Sequence, residues 1–460
     1  MNYSWNKNSI PILQLGADFY DESVPAPFPE SKLRYWNESL ALKIEKISLW
    51  NFKPLPHNLA KPLALRYHGH QFQHYNPQIG DGRGFLFAQL QINNQWFDLG
   101  TKGSGQTVYS RSGDGRLTLK GAVREALATE MLESLGVNTS KTVCIFETSE
   151  QLQRGDEPSP TRSAVMTRFS RGHIRIGTFQ RLAYFKETEN IKKLVSYCLH
   201  FYFPEHFDTI NFKDDLNVLT TFLQLVRSRQ AKLAAEIMMA GFVHGVLNTD
   251  NINISGELFD YGPYRFLPNY DPNFVAAYFD HQGLYAFGRQ PHTLLWNLHQ
   301  LGTALQTAHP EFDFGVILEP FGDEFNAAVQ LQFLKRLNLH SNDINLVADT
   351  VSLYFKFMDQ NKIPFEQMFF DFFGCSEKRL QASPFNQSYS GEHFLKLLNN
   401  LLKMKIVDPS LNAHNYFSTA TPQTLLIDEI ELIWSAIDLT DDWSLFERKL
   451  QSLRAFRGIY

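Results

Sequence analysis

The spacing of apolar positions changes along the chain and divides it into a strand-rich and a helix-rich part. From about residue 61 to 180, short apolar runs alternate with Gly-containing turns, which predicts short β-strands. Residues 84–90 and 95–99 flank Asn93-Asn94 and predict a β-hairpin. One helix is expected here, at about 117–135, because apolar residues recur at every fourth position before a glycine stop.

Helical periodicity dominates beyond about residue 185. Asp214 and Asp215 can cap a helix that keeps one apolar face, and after about residue 310 the pattern is almost purely helical, with Phe-rich segments near 352–373 and 393–405. We therefore predict an α+β fold of two lobes with a cleft between them. The expected parts are an N-terminal extension packing on the body (1–60), a β-rich N-terminal lobe (61–180), a helical C-terminal lobe (181–310) and a helical C-terminal extension (311–460).

Composition and charge exclude several classes of protein. Hydrophobic residues make up 43% of the 460 residues and include 39 Phe, so the chain can form thick aromatic cores. The net charge of −5 gives no reason to expect nucleic acid as a partner. Three cysteines exclude a disulfide framework and indicate a reducing compartment. No apolar run is long enough to span a membrane and the start resembles no targeting peptide, so we expect a cytoplasmic protein without membrane contact.

The tetrapeptide Gly-Asp-Gly-Arg occurs twice, at Gly80–Arg83 and Gly113–Arg116. Glycines allow successive backbone N–H groups to converge on an anion, with an arginine beside them. An ordinary Asp-Gly turn between strands is the alternative interpretation. The repetition within one strand-rich part makes a phosphate site as reasonable as a turn.

Lys102 ends an apolar strand between these two tetrapeptides, which suits a positive charge placed on phosphate oxygens. A lysine that snorkels from an edge strand is the alternative. Glu125 and Glu130 on the predicted helix could each orient Lys102, and helix geometry alone slightly favours Glu130. Arg168 and Arg175 follow at the junction of the two parts, where they could grip phosphate or form surface ion pairs.

The segment from His244 to Asn251, followed by Asp260-Tyr261-Gly262, keeps the spacing of a kinase catalytic loop and its metal-binding Asp-aromatic-Gly. Asn251 and Asp260 supply the hard oxygen ligands that Mg²⁺ prefers. Val246 occupies the kinase base position and cannot accept a proton, whereas Asp250 supplies a carboxylate just before Asn251. A buried turn capped by Asp250 and Asn251 is the alternative.

Together these residues resemble the selenoprotein O family in its bacterial YdiU-type form. The matching stretches run in order from about residue 60 to 300, while both ends match loosely. They are Gly69–Phe72, Pro77–Arg83, Lys102–Gly105, Tyr109–Arg116, His173–Phe179, His244–Asn251, Asp260–Pro263, Asp271–Phe274 and Trp296–Leu298.

The resemblance implies a protein-kinase-like fold with adenylyltransferase chemistry. ATP would bind flipped relative to kinases, and AMP would pass to Ser, Thr or Tyr hydroxyls of proteins with release of pyrophosphate. Asp250 would accept the proton, and Asn251 and Asp260 would hold Mg²⁺, with Mn²⁺ possible. The family pattern favours Glu125 as the partner of Lys102. The implied nucleotide-binding residues are Gly80, Gly82, Arg83, Lys102, Asp114, Gly115, Glu125, Arg168 and Arg175.

The chain departs from the family at two places. It ends Phe456–Tyr460 without the selenocysteine or cysteine that many relatives carry near the C-terminus, and Val108 stands where a proline is expected. Because Val246 occupies the usual base position, a non-catalytic ATP-binding pseudokinase scaffold is the alternative function. A small-molecule kinase is a third, although such enzymes retain an aspartate at that position.

Overall fold

The computed structural model of the protein describes residue 1 and residues 3–40, 58–155 and 157–460. Part of the predicted N-terminal extension, residues 41–57, therefore lies outside the described residues. The described part combines a large antiparallel sheet with many helices, which confirms a mixed α and β architecture. Within the same ranges, no helix has both the length and the apolar character needed to cross a bilayer.

Most strands belong to one sheet, and every strand pair in it is antiparallel. The strands are β1 (Tyr20–Glu22), β2 (Ser31–Trp36), β3 (Leu63–Leu65), β4 (Gly69–Gln71), β5 (His74–Asn76), β6 (Leu86–Ile92), β7 (Gln95–Lys102), β8 (Leu117–Thr118), β9 (Lys141–Leu152), β10 (Thr161–Ser170), β11 (Phe242–Val243), β12 (Arg265–Phe266), β13 (Leu339–His340) and β14 (Lys405–Ile406). In the described part of the chain, the main sheet has the order β1-β3-β6-β7-β10-β9-β2, with β8 paired to β10. The pairs β4-β5, β11-β12 and β13-β14 are separate.

The hairpin of β6 and β7 is confirmed, and Asn93 and Asn94 both adopt the positive φ that a tight hairpin turn requires, at 48° and 61°. The expectation of only short strands is wrong for β9 and β10, which are 12 and 10 residues long. Polar residues interrupt their apolar runs, but both strands are paired on each side, so the backbone ladder continues through these positions.

The predicted helices near 117–135 and after Asp214 are confirmed. The helices are α1 (Pro11–Leu15), α2 (Leu119–Ser134), α3 (Ile176–Tyr184), α4 (Thr188–Tyr202), α5 (Pro204–Phe207), α6 (Asp215–Met239), α7 (Gln290–Gln306), α8 (Phe321–Arg336), α9 (Ile344–Asn361), α10 (Phe365–Phe372), α11 (Glu377–Ala382), α12 (Gly391–Leu402), α13 (Ile427–Thr440) and α14 (Ser444–Arg454). Thr118 caps α2 by accepting from Gly121 N, and Asp214 caps α6 by accepting from Asn217 N.

Three hydrophobic cores position these elements in the described part of the chain. The first joins the sheet to α2, α3, α4, α6, α7, α13 and α14, and a smaller one lies within β6, β7, β9 and β10. The remaining core lies mainly within α8–α12, where Phe333, Tyr354 and Phe369 pack edge to face or tilted. The Phe-rich segments predicted after residue 350 thus form α9, α10 and α12. Helix α2 packs against β9 and β10 of the sheet and against α14, so it connects the sheet to the last helix.

Candidate active site

A cavity of about 790 Å³ lies where β7 and β10 meet the loops at 80–84, 109–116 and 246–262. Its wall carries a marked excess of positive charge, although the chain as a whole has a net charge of −5. The ionic side chains are seven basic residues (Arg83, Lys102, Arg111, Arg116, Arg154, Arg168 and Arg175) and four acidic residues (Asp81, Asp114, Asp250 and Asp260). A concave site of this charge suits a polyanion such as a phosphate chain.

The structure brings the sequence-predicted residues together at this cavity. Glu125 lies behind Lys102 rather than on the wall. The other eleven line it: Gly80, Gly82, Arg83, Lys102, Asp114, Gly115, Arg168, Arg175, Asp250, Asn251 and Asp260.

Lys102 ends β7 as a buried side chain between two carboxylates. Its Nζ lies 2.6 Å from Glu125 Oε2 and 3.1 Å from Asp260 Oδ1. The slight geometric preference for Glu130 is wrong. Glu130 is also buried, but its carboxylate binds Arg454 and Arg457, because its side of α2 packs against α14.

Asp260 is the acidic centre of the cavity. Its carboxylate lies 2.7 Å from Arg168 Nη1 and 3.1 Å from Arg175 Nη1, in addition to Lys102. Burial alone would raise the pKa of Asp260, but these three cations hold it well below its usual range. The residue has a φ of 60°, a left-handed backbone that aspartate tolerates better than most residues and that often marks functional sites.

Arg175 is held rigidly beside Asp260. Its guanidinium stacks between the rings of Tyr67 and Phe259, at 4.5 and 4.7 Å from their centroids, and its Nη2 donates to Asp81 Oδ1 at 3.2 Å. Its Nη1 also donates to the Asp250 carbonyl at 2.8 Å. A guanidinium group held in one orientation can donate hydrogen bonds to an incoming phosphate without further ordering.

Asp250 lies in a short 3₁₀ turn, Thr249–Asn251, and is 8% exposed. Burial raises the pKa of its carboxyl to about 6, against the lowering effect of Arg175. Its Oδ1 has no hydrogen-bond partner among the described residues. Asp250 lines the cavity, and a carboxylate at a cavity wall can take a hydrogen bond or a proton from a bound group.

The donor set at 250–260 fits a hard divalent cation. Asn251 Nδ2 donates to the Val246 carbonyl at 2.9 Å, which leaves its Oδ1 as the free end of the amide. Asp260 adds carboxylate oxygens on the same wall. Mg²⁺ takes few protein oxygens and completes its shell with water and phosphate, so two ligands suffice. No group of three or more His, Cys, Asp or Glu residues that could hold a metal occurs in the ranges that the structure describes.

The two Gly-Asp-Gly-Arg segments lie on the same cavity but differ in their arginines. Arg116 forms a two-point ion pair with Glu150, whereas Arg83 makes no ion pair within the described ranges. Gly115 has a φ of 71°, and a Cβ there would come within 2.2 Å of the Gly105 backbone. This close approach requires glycine and fixes the loop over the cavity.

Several residues of the site were not predicted from the sequence. Asp81 lies inside the first Gly-Asp-Gly-Arg segment and His173 two positions before Arg175, so the neighbouring predicted residues could have pointed to both. Arg154 binds Asp114 through two contacts, at 2.8 and 3.2 Å, from a loop that carries no recognisable sequence pattern. Only the fold reveals this last pair.

The chain is similar to known proteins along almost its whole length. The family model described as protein adenylyltransferase SelO matches residues 6–454. A protein nucleotidyltransferase YdiU of Synechocystis is 42% identical, over 96% of this chain and 96% of the relative. YdiU proteins of Trichodesmium erythraeum and Gloeobacter violaceus are 40% and 39% identical, over 97% and 96% of this chain and 98% and 93% of the relatives. The chain therefore belongs to the SelO family, and the expectation of an enzyme of the nucleotidyltransferase class is confirmed.

Proposed function

We propose that the chain transfers AMP from ATP to Ser, Thr or Tyr hydroxyl groups of other proteins and releases pyrophosphate. The observation that carries this proposal is the basic cavity with the Asp250 carboxylate on its wall. Kinase-type transfer of the terminal phosphate is less compatible with the site, because the kinase base position is Val246.

In the proposed complex the phosphate chain lies along Lys102, Arg168 and Arg175, and the terminal phosphate occupies the inner end of the cavity. Lys102 and Arg168 then contact both the Asp260 carboxylate and the phosphate oxygens. The α-phosphate is directed towards Asp250, which is the reverse of the orientation in kinases. Preorganised cations of this kind stabilise the charge that develops during phosphoryl-type transfer.

Asp250 acts as the proton acceptor. The acceptor hydroxyl oxygen forms a bond to the α-phosphorus, its proton passes to the Asp250 carboxylate, and the bond from the α-phosphorus to the bridging oxygen breaks. Pyrophosphate leaves with that electron pair. A positioned base of this type contributes about 10²–10⁴-fold to a rate.

Asn251 and Asp260 are the proposed holders of Mg²⁺, or of Mn²⁺. When bound, the cation neutralises charge on the phosphate chain and fixes its position. Arg168 and Arg175 keep the Asp260 carboxylate ionised and oriented for this task.

We also propose the kinase-like arrangement of two lobes, with residues 61–180 as the nucleotide-binding lobe and 181–310 as the lobe of the catalytic loop. Residues 1–60 then extend the first lobe, which is supported by the pairing of β1 with β3 and of β2 with β9. Residues 311–460 form a helical extension whose last helix returns to α2.

The test is mass spectrometry of acceptor proteins after incubation with the chain, ATP and Mg²⁺. The proposal predicts a mass increase of one adenylyl group on Ser, Thr or Tyr, together with free pyrophosphate. An increase of one phosphoryl group would identify a kinase. If the chain bound ATP but modified no acceptor protein with either Mg²⁺ or Mn²⁺, the chain would be a nucleotide-binding scaffold.

A further inference from the structure

His173 is a buried side chain of the cavity wall that the proposed mechanism does not use. It is 6% exposed, and its Nδ1 lies 3.0 Å from Asp98 Oδ2 and 3.4 Å from Ser170 Oγ. An imidazole beside a carboxylate carries hydrogen on the nitrogen that faces that carboxylate, whether the ring is neutral or charged. Nδ1 therefore carries hydrogen, and Nε2 is the end that remains for a ligand.

Asp98 is itself held from behind by a buried hydrogen-bond chain. Gln89 Nε2 donates to Asp98 Oδ1 at 2.6 Å, and the Ile12 amide donates to Gln89 Oε1 at 2.7 Å. Asp98 and Gln89 are 3% and 2% exposed. Because each member has a fixed partner, the imidazole ring has one defined orientation.

The hydrogen bonds of the His173 ring to described residues all use Nδ1. The Nε2 atom lies against Gly100 of β7. A Cβ at Gly100 would lie only 2.6 Å from Nε2, so the absence of a side chain makes the room for the ring. Nε2 is not among the fully buried unpaired atoms of the described residues, and His173 lines the cavity, so a ligand bound there can supply its partner.

The strand register places His173 next to the phosphate-binding cations. Successive side chains alternate between sheet faces, so Asp98, Gly100 and Lys102 share one face of β7. Arg168 of β10 is directly opposite Gly100. The imidazole that covers Gly100 therefore lies between the Asp98 carboxylate and the row formed by Arg168 and Lys102.

We propose that His173 forms an inner subsite for the terminal phosphoryl group of the nucleotide, donating a hydrogen bond from Nε2 to a phosphoryl oxygen. The inference rests on the proposed function, which places the phosphate chain at the inner end of the cavity. A phosphoryl oxygen only accepts, so the bound ring carries hydrogen on both nitrogens. Asp98 on one side and the phosphate on the other balance the resulting positive charge.

The test compares binding of ATP and AMP by calorimetry, in the presence of Mg²⁺. His173→Asn keeps a donor near Asp98 but removes the Nε2 position, and should weaken ATP binding roughly 10- to 100-fold, the range of one charge-assisted hydrogen bond. AMP affinity should change less than about twofold. His173→Gln, whose amide can reach the phosphate, should recover much of the ATP affinity. His200→Asn, a matched change at a buried histidine on α4 outside the cavity, should leave both affinities unchanged.

Gly100→Ala provides a second variant that leaves His173 in place. Its methyl group would displace the ring, so it should weaken ATP binding selectively in the same way. Equal losses for ATP and AMP, or no loss for ATP, would overturn the subsite while leaving the proposed function intact. Absence of ATP binding by the unaltered chain would overturn the proposed function and the subsite together.

Discussion

Glu125 and Glu130 lie five residues apart on α2 and are equally buried, yet they form ion pairs in two separate parts of the molecule. Glu125 pairs with Lys102 in the cavity, whereas Glu130 pairs with Arg454 and Arg457 at the C-terminus. Helix α2 therefore connects the end of the chain to the cation that faces the cavity. The two carboxylates allow catalysis and stability to be tested separately with the same substitution.

Glu125→Gln should lower AMP transfer strongly, by about 10²-fold, because Lys102 loses the carboxylate that positions its charge. Glu130→Gln should instead lower the free energy of unfolding by about 1–3 kcal/mol, since it removes the buried carboxylate charge that Arg454 and Arg457, both partly exposed, share. Steady-state kinetics and denaturant unfolding of both variants provide the measurement. Equal effects on transfer would show that the pairing with Lys102 has no special role.

Gly115→Ala should weaken ATP binding at least tenfold, because a Cβ would meet the Gly105 backbone and the left-handed φ of 71° disfavours alanine. Gly155→Ala, at a glycine with nothing within 4 Å of an added Cβ, is the matched control and should have little effect. Calorimetric titration with ATP distinguishes the two. Retention of normal affinity in Gly115→Ala would mean that the loop does not contact the nucleotide.

Glu257 should make stability depend on pH. Burial raises the pKa of its carboxyl to about 7, although the Arg171 amide donates to it at 2.6 Å. Because the pKa of Glu257 is higher in the folded chain than in the unfolded chain, the folded chain binds the proton more tightly. The stabilisation of the folded chain by this bound proton is complete below the unfolded-state pKa and is lost as pH rises through about 7. Compared with Glu257→Gln, the unaltered chain should lose roughly 3 kcal/mol of unfolding free energy between about pH 5 and 8.

Denaturant unfolding of both proteins across that pH interval checks the effect of Glu257. Other titrating groups are common to the pair and cancel in the difference. Parallel stability profiles would contradict the raised pKa.

Asp250→Asn should lower the rate of AMP transfer about 10²–10⁴-fold while ATP affinity stays within a few-fold, because the amide keeps the shape but cannot accept the proton. Single-turnover kinetics with bound ATP separate the chemical step from binding. A variant that keeps its full transfer rate would exclude Asp250 as the proton acceptor.

Local patterns predicted the local structure well. The Asn93-Asn94 turn, the Asp214 cap and the fourfold spacing in α2 each depend on residues close in sequence, and each element is present. The length of β9 and β10 was missed because their pairing with neighbouring strands, not their apolar pattern, sustains them.

The candidate site, like the fold, could be predicted from the sequence only in part. Residues within recognisable sequence segments, such as Lys102 and Asp260, were identified, but the distances between them could not be predicted. The choice between Glu125 and Glu130 stayed open from the residues alone, because it depends on Arg454, more than 300 positions away. Ion pairs between residues this far apart in sequence are determined by packing of the whole chain rather than by local sequence preferences.

The most direct test of the account uses two preparations of ATP, one labelled at the α-phosphate and one at the γ-phosphate, with the chain, Mg²⁺ and an acceptor protein. Label from the α-phosphate should appear on the acceptor, and label from the γ-phosphate should appear only in released pyrophosphate. Transfer of the γ-label to protein would contradict the account and make the chain a kinase.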